Sequence, residues 1–234
     1  MSINMNNSFV VKYAPKQLSE VVLADVDVER AIKRYASRQD MRPLILYGPN
    51  GTGKSTVARL LAQELFSGLA ENDIHELDPF RLLGEQKTRT SIYNHISMCG
   101  FGGDGRCLIL DEFNLFPKGI IQSIKSAIDQ YTKNVLFIAT TNDLSALDLG
   151  HRSRSVCLQI VQPPLERWMP RIVAILNAEG ASVPKDQSLM EMLQDSGGDN
   201  RQFLTNLQLY VEELGGAPAQ APSIGEREEG GRLW

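Results

Sequence analysis

The chain has 234 residues, 42% of them hydrophobic and 22% charged, with a net charge of −4 at neutral pH. Its apolar content suffices for the packed core of one large domain or two modest ones and excludes wholesale disorder, while the acidic balance excludes binding to nucleic acid by global attraction and leaves room only for a local basic channel. Cys99, Cys107 and Cys157 form no C-x-x-C pair, which argues against a disulfide framework or a structural zinc, and no run approaches the ~18 apolar residues of a membrane span.

In chain order, residues 1–16 are polar and carry no signal-peptide stretch, so a cytoplasmic protein is expected. Asp27–Arg38 reads as a helix with Val28, Ile32 and Tyr35 on one face. Residues 43–47 form a short apolar run ending at a glycine, a buried strand. Ser55–Phe66 reads as a helix that turns Val57, Leu60, Leu61 and Leu65 inward. Ile74–Leu77 is a weaker strand and Gln86–Met98 a helix. Cys107–Leu110 is a second buried strand, followed by a helix over Pro117–Tyr131 with its proline in the first turn. Val135–Ala139 and Val156–Ile160 read as two more strands. After Pro163-Pro164 the pattern becomes wholly helical, over Glu166–Ala178, Ser188–Gln194 and Asn200–Leu214. The sequence thus predicts an α/β parallel-sheet core over 1–163, a small all-helical lid over 164–214, and a flexible tail over 215–234 ending in Trp234.

Gly48-Pro49-Asn50-Gly51-Thr52-Gly53-Lys54-Ser55 matches G-x-x-x-x-G-K-[ST], between an apolar strand and a helix. Its glycines let backbone N–H groups turn inward around a phosphate chain at a helix N-terminus, which favours anions. These eight residues, with Thr56, are the expected nucleotide-binding loop. Lys54 would reach the β- and γ-phosphates and Ser55 would hold Mg²⁺. Asp111 and Glu112 follow four apolar residues, which puts them at the end of a buried strand beside that loop. Asp111 can then hold the Mg²⁺ shell, and Glu112 can orient or deprotonate an attacking water, a task a hydrolase needs and a small-molecule kinase does not. Asn142, or else Thr141, ends another strand and can reach the γ-phosphate. Arg154 is a candidate arginine finger for a neighbouring subunit's phosphate, and Arg201 can reach back from the lid to the same phosphates. His75, His95 and His151 show no metal-ligand spacing.

The order of these elements resembles the AAA+ ATPases and, among them, the clamp-loader branch of replication factor C small subunits and their phage counterparts. Lys12-Tyr13-Ala14-Pro15 and Leu18-Ser19-Glu20-Val21-Val22 resemble that family's K-Y-R-P…L-x-D-V-V opening, which implies that Tyr13, Pro15 and Val22 wrap the adenine. The D-E-A-D box is similar to Asp111-Glu112-Phe113-Asn114, sensor 1 to Thr141-Asn142, the S-R-C finger to Ser153-Arg154-Ser155, and sensor 2 to Gly198–Gln208 with Arg201. Ala14, Asn114 and Ser155 depart from the family's residues, and the helical collar that follows the family's lid has no counterpart before the tail.

The resemblance implies a Mg²⁺-dependent ATPase that self-associates into a ring or spiral, or joins a collar-bearing subunit in a hetero-oligomer. Primer–template or duplex DNA and a sliding clamp are the partners it suggests, with no membrane. Without a collar, self-association is expected to be weak unless ATP or DNA nucleates it. The resemblance places Arg81, Lys87 and Arg89, together with Lys125, on helices facing the DNA backbone, where contacts would be independent of base sequence and sensitive to salt. Alternatives are an AAA+ remodeller acting on a protein partner and a nucleotide-dependent scaffold; Glu112 speaks against a mere scaffold.

Overall fold

The computed structural model describes residues 8–66, 73–97 and 105–214, so the expectations for Cys99, for the tail and for Trp234 lie outside the described residues. Five strands, β1 (Leu44–Tyr47), β2 (Ile74–Leu77), β3 (Arg106–Leu110), β4 (Val135–Thr141) and β5 (Val156–Gln159), form one sheet in the order β2-β3-β4-β1-β5. Every pairing in it is parallel. Such a sheet is covered on both faces, which explains why β1, 107–110 of β3 and 135–139 of β4 are continuous apolar runs rather than alternating ones.

The alternation survives in where each side chain goes. Leu44 and Leu46 join Ile109 and Ile138 under helices α2 (Val26–Ala36) and α3 (Lys54–Phe66), whose Ile32, Tyr35 and Leu61 close one apolar cluster. Ile45 turns the other way, to Leu108, Leu110 and Phe137 under α4 (Glu85–Ser97) and α5 (Lys118–Tyr131). A third cluster lies apart from the sheet, where Trp168, Ile172, Leu189, Phe203 and Leu207 join α7 (Leu165–Ala178), α8 (Asp186–Asp195) and α9 (Asn200–Glu213). The expected α/β class, a P-loop parallel-sheet core with a small helical lid, is the one the chain adopts. No helix among the described residues is long and apolar enough to cross a membrane.

Two short helices differ from the sequence reading. In the polar opening, α1 (Phe9–Lys12) buries Phe9 in the lid cluster, and the Phe9 amide donates to Gln208 Oε1 at 2.9 Å. Four residues are too few to show a helical period. The basic stretch before β5, to which the sequence reading assigns no element, is also helical: α6 (Leu149–Arg154) is capped by Asp148, whose carboxylate accepts from the His151 amide at 2.9 Å. The His151 ring is buried edge-on to Phe113 with centroids 5.3 Å apart, and its ring nitrogens lie 3.0 Å from Asp148 Oδ1 and 3.2 Å from the Ile121 carbonyl oxygen, so it ties α6 to α5 structurally. Pro117 stands just before α5 as its cap rather than within its first turn.

Candidate nucleotide-binding site

The parallel sheet brings the ends of β1, β3 and β4 to one edge, where a crevice for ligands forms in folds of this kind. From β1 the chain turns through 48–53 into α3. Gly48 takes φ +143°, and a β-carbon there would sit 2.1 Å from the Ile160 carbonyl oxygen, so the turn admits only glycine. Its amide donates to the Thr141 carbonyl at 3.3 Å. The start of α9 grips the loop from the lid: the Asn200 amide donates to the Gly51 carbonyl at 3.1 Å, and Asn200 Nδ2 to the Thr52 carbonyl at 3.1 Å. Lys54 is only 8% exposed and donates Nζ to the Gly48 and Pro49 carbonyls at 2.8 and 2.6 Å. Burial holds its pKa below the ordinary lysine value, against the opposing pull of Asp111 and Glu112. The loop therefore holds a cation at its centre and stacked amides at a helix N-terminus, an arrangement suited to a phosphate chain. Pro49, Asn50, Gly53 and Thr56 lie in this loop and the first turn of α3, as the motif required.

Asp111 comes directly off β3. Its Oδ1 accepts from Ser55 Oγ at 2.6 Å and from Thr140 Oγ1 at 2.6 Å. Thr140 in turn accepts from the Glu112 amide at 3.0 Å, and Glu112 sits in the left-handed region at φ 49°. A non-glycine residue there is strained by roughly 1 kcal/mol, so the amide hydrogen bond to Thr140 and the burial of the adjoining Phe113 hold the backbone of Glu112 in that conformation. A hydroxyl and a carboxylate meeting beside a phosphate-binding loop are the hard oxygen donors that suit Mg²⁺, which takes few protein ligands and leaves the rest to phosphates and water. Ser55 and Asp111 thus fit that ion.

Thr140 was not among the residues singled out from the sequence. The pairing of Leu110 with Ala139 puts it level with Asp111, and that register is what the sequence lacked. Asn142 stands exposed just past β4 on the same edge. Thr141 is instead buried, with its hydroxyl 2.9 Å from Asn114 Oδ1 and accepting from the Asp143 amide at 3.1 Å. Asn114, which departs from the family's aspartate, therefore has a partner of its own.

The remaining expected residues lie at three places. Arg201 is in the first turn of α9, near enough for its charge to act on Lys54, and Asp199 caps that turn by accepting from the Arg201 amide at 2.7 Å. Tyr13 and Val22 belong to a strap that packs on the lid cluster, whereas Leu18, Val21 and Leu23 of the same strap pack under the sheet; Pro15 is half-buried between them. The Tyr13 hydroxyl bonds the buried carboxylate of Glu179, which also pairs with Lys12 at 2.6 Å, and burial against that carboxylate drives the phenol pKa upward. Arg154 ends α6 where β5 begins, at the opposite edge of the sheet from Lys54. Its Nε donates to Asp129 at 2.6 Å and a terminal nitrogen to the Gly150 carbonyl at 2.8 Å. It cannot reach its own chain's loop across the sheet.

Arg81, Lys87 and Arg89 accompany α4, and Lys125 is on the neighbouring α5. Three of the four have acidic partners: Arg81 with Asp78 at 3.5 Å, Arg89 with Glu85, and Lys125 with Asp148 at 3.7 Å. Among the described residues, no group of three His, Cys, Asp or Glu side chains forms a metal cluster.

Known proteins of similar sequence include the replication factor C small subunit of Archaeoglobus fulgidus, 28% identical over 201 residues, which are 86% of this chain and 62% of that one. Another is replication factor C subunit 3 of Schizosaccharomyces pombe, 26% identical over 86% of this chain and 58% of its own. The chain thus spans about three-fifths of the length of these relatives. A RuvB structure from Thermotoga maritima shares the fold with a TM-score of 0.63 at 19% identity, over 86% of this chain and 72% of that one. A family model for the ATPases associated with various cellular activities matches residues 44–164, more than half of the chain, and the chain belongs to this AAA family of nucleotide-binding proteins.

Proposed function

We propose that this chain is a Mg²⁺-dependent ATPase subunit that assembles with further copies, or with a collar-bearing subunit, on primer–template or duplex DNA, in the manner of a clamp loader. The likeness to replication factor C subunits supports the assembly and the DNA. The observation that carries it is the division of one catalytic set between the two edges of the sheet. Lys54, Ser55, Asp111 and Glu112 gather at one edge, and Arg154 stands at the other, so a complete site requires a second subunit.

In this reading, residues 1–163 form the nucleotide-binding core and 164–214 the lid. Tyr13, Pro15 and Val22 cover the base from the strap between them. The loop amides and Lys54 hold the phosphates, and Ser55 and Asp111 hold the Mg²⁺. Mg²⁺, when bound, supplies charge neutralisation across the phosphates. Glu112 takes the proton of the attacking water, Asn142 orients the γ-phosphate, and Arg201 acts on it from the lid. Arg154 acts on the γ-phosphate bound by the adjoining subunit. Lys87 meets DNA phosphates directly, and Arg81, Arg89 and Lys125 do so once their acidic partners are displaced, which makes the contact dependent on salt. A sliding clamp is the natural substrate of such an assembly.

The test is steady-state ATP hydrolysis with and without primer–template DNA across a salt series, for the native chain, Glu112→Gln and Arg154→Ala. DNA stimulation that fades with salt and vanishes in both variants is the expected result. Turnover indifferent to DNA, or undiminished in Arg154→Ala, would overturn the DNA-assembled, shared-site reading.

A further inference from the structure

The two oxygens of Asp111 keep different company. Oδ1 takes the hydroxyls of Ser55 and Thr140. Oδ2 faces a cation, with Arg59 Nη2 3.6 Å away. Arg59 lies one turn beyond Ser55 on α3 and so presents its side chain on the same face of that helix. Its stronger partner is Glu76 on the edge strand β2: Nε lies 2.9 Å from both carboxylate oxygens, and Nη2 lies 2.6 Å from Oε1. Glu76 is paired with Ile109, two residues before Asp111, so both carboxylates point to the α3 side of the sheet. One nitrogen, Nη2, therefore stands between two carboxylates, close to Glu76 and within Coulombic range of Asp111.

A guanidinium cannot shed its proton, so its charge stays beside Asp111 in every state of the site. Its side chain is about half exposed, which leaves it room to move toward either carboxylate. We propose that Arg59 and Glu76 together set the Mg²⁺ affinity of the nucleotide site, Arg59 lowering it by placing positive charge at Asp111 Oδ2 and Glu76 restoring it by drawing the guanidinium aside. Both are positioning residues, and the inference rests on the reading that Ser55 and Asp111 hold Mg²⁺. It predicts opposite effects from two neighbours, which a merely structural ion pair does not. Losing such a pair would weaken the fold in the same sense whichever partner is removed.

The experiment measures binding of a fluorescent, non-hydrolysable ATP analogue to the whole chain as a function of Mg²⁺ concentration. Arg59→Gln should lower the half-saturating Mg²⁺ concentration by about three- to tenfold, a moderate effect because solvent screens a half-exposed charge. Glu76→Gln should raise it by a similar factor. The double variant should behave as Arg59→Gln, since Glu76 acts only through Arg59. Arg59→Lys, which keeps the charge, should stay near the native value, and it serves as the reference if the glutamine variant folds poorly by circular dichroism. Single variants that shift in the same direction, or an Arg59→Gln titration that overlays the native one, would overturn the proposal. If instead native binding ignores Mg²⁺ and Asp111→Ala matches it, the underlying assignment of Asp111 has failed, an outcome distinct from unmoved Arg59 variants on a Mg²⁺-dependent site.

Discussion

At the edge where the strands end, Ser55, Thr140 and Asp111 are tied by bonds of 2.6 Å, and Lys54 is buried against carbonyls of its own loop. At the edge where they begin, Arg154 holds an exposed aspartate and one carbonyl of its own helix. The first set is fixed by the fold, because each polar atom lacking water needs its partner in place. The second is held loosely, since an exposed ion pair contributes little and can be exchanged for a better anion. A chain built this way keeps a rigid acceptor at one edge and a movable donor at the other. In the proposed reading, a rotation that places one edge against the other joins such chains head to tail.

The sharpest way to break that comparison is to disable the edges in separate molecules. Lys54→Ala and Arg154→Ala should each reduce hydrolysis about 10³-fold, the scale of an arginine finger. Mixed in equal amounts, they should regain turnover, because about a quarter of head-to-tail junctions then pair an intact loop with an intact finger. A mixture as inactive as its components would mean that both edges serve one and the same chain.

Next in size is the contrast between glycines. A methyl group at Gly48 meets the backbone carbonyl of Ile160, which has nowhere to go, in addition to a positive φ. Gly180, at φ +68°, faces open space. Gly48→Ala should therefore destabilise the fold by about 3 kcal/mol and abolish nucleotide binding, whereas Gly180→Ala should incur only the left-handed penalty of about 1 kcal/mol. Denaturant melts of both variants check this; equal losses would show that the loop gives way where the structure holds it closed.

How much of this was legible in the sequence follows the same division. The strands and the longer helices announce themselves by apolar runs and by periodicity, and the phosphate loop by local spacing that dictates its own geometry. What escaped depends on register and on distant packing. Thr140 reads as one more strand residue until the pairing of β3 with β4 sets it beside Asp111. Glu179 reads as a charge past a helix end until the strap brings Tyr13 and Lys12 onto it from far away in sequence. Arg59 is an ordinary helix-surface arginine until β2 supplies Glu76. The bond from Thr141 to Asn114 buries the alternative at that strand end and leaves exposed Asn142, the residue the sequence favours there.

The smallest expected effect concerns the other end of β3. There, the strand meets a buried imidazole from α4 rather than a carboxylate of its own: His95 donates Nε2–H to the Cys107 carbonyl at 3.1 Å, with the His75 ring 5.1 Å away and Arg106 and Asp73 nearby. Burial pushes His95 down from its ordinary 6.5 to about 4, and His75 is lowered for the same reason. Between those two values the unfolded chain binds the proton at position 95 and the folded chain does not. Stability from this histidine is therefore complete above about pH 6.5 and is lost as the pH falls toward 4. Between pH 7.5 and 5 the loss should be about 1.5–2 kcal/mol, read from denaturant midpoints. Carboxylates elsewhere titrate alike in native protein and variant, so the difference in pH slope between native protein and His95→Gln isolates the contribution. The glutamine can still donate to Cys107, and it should flatten the slope without removing the bond. Parallel slopes would mean that His95 takes up its proton in the folded state and that this end of β3 carries charge as well.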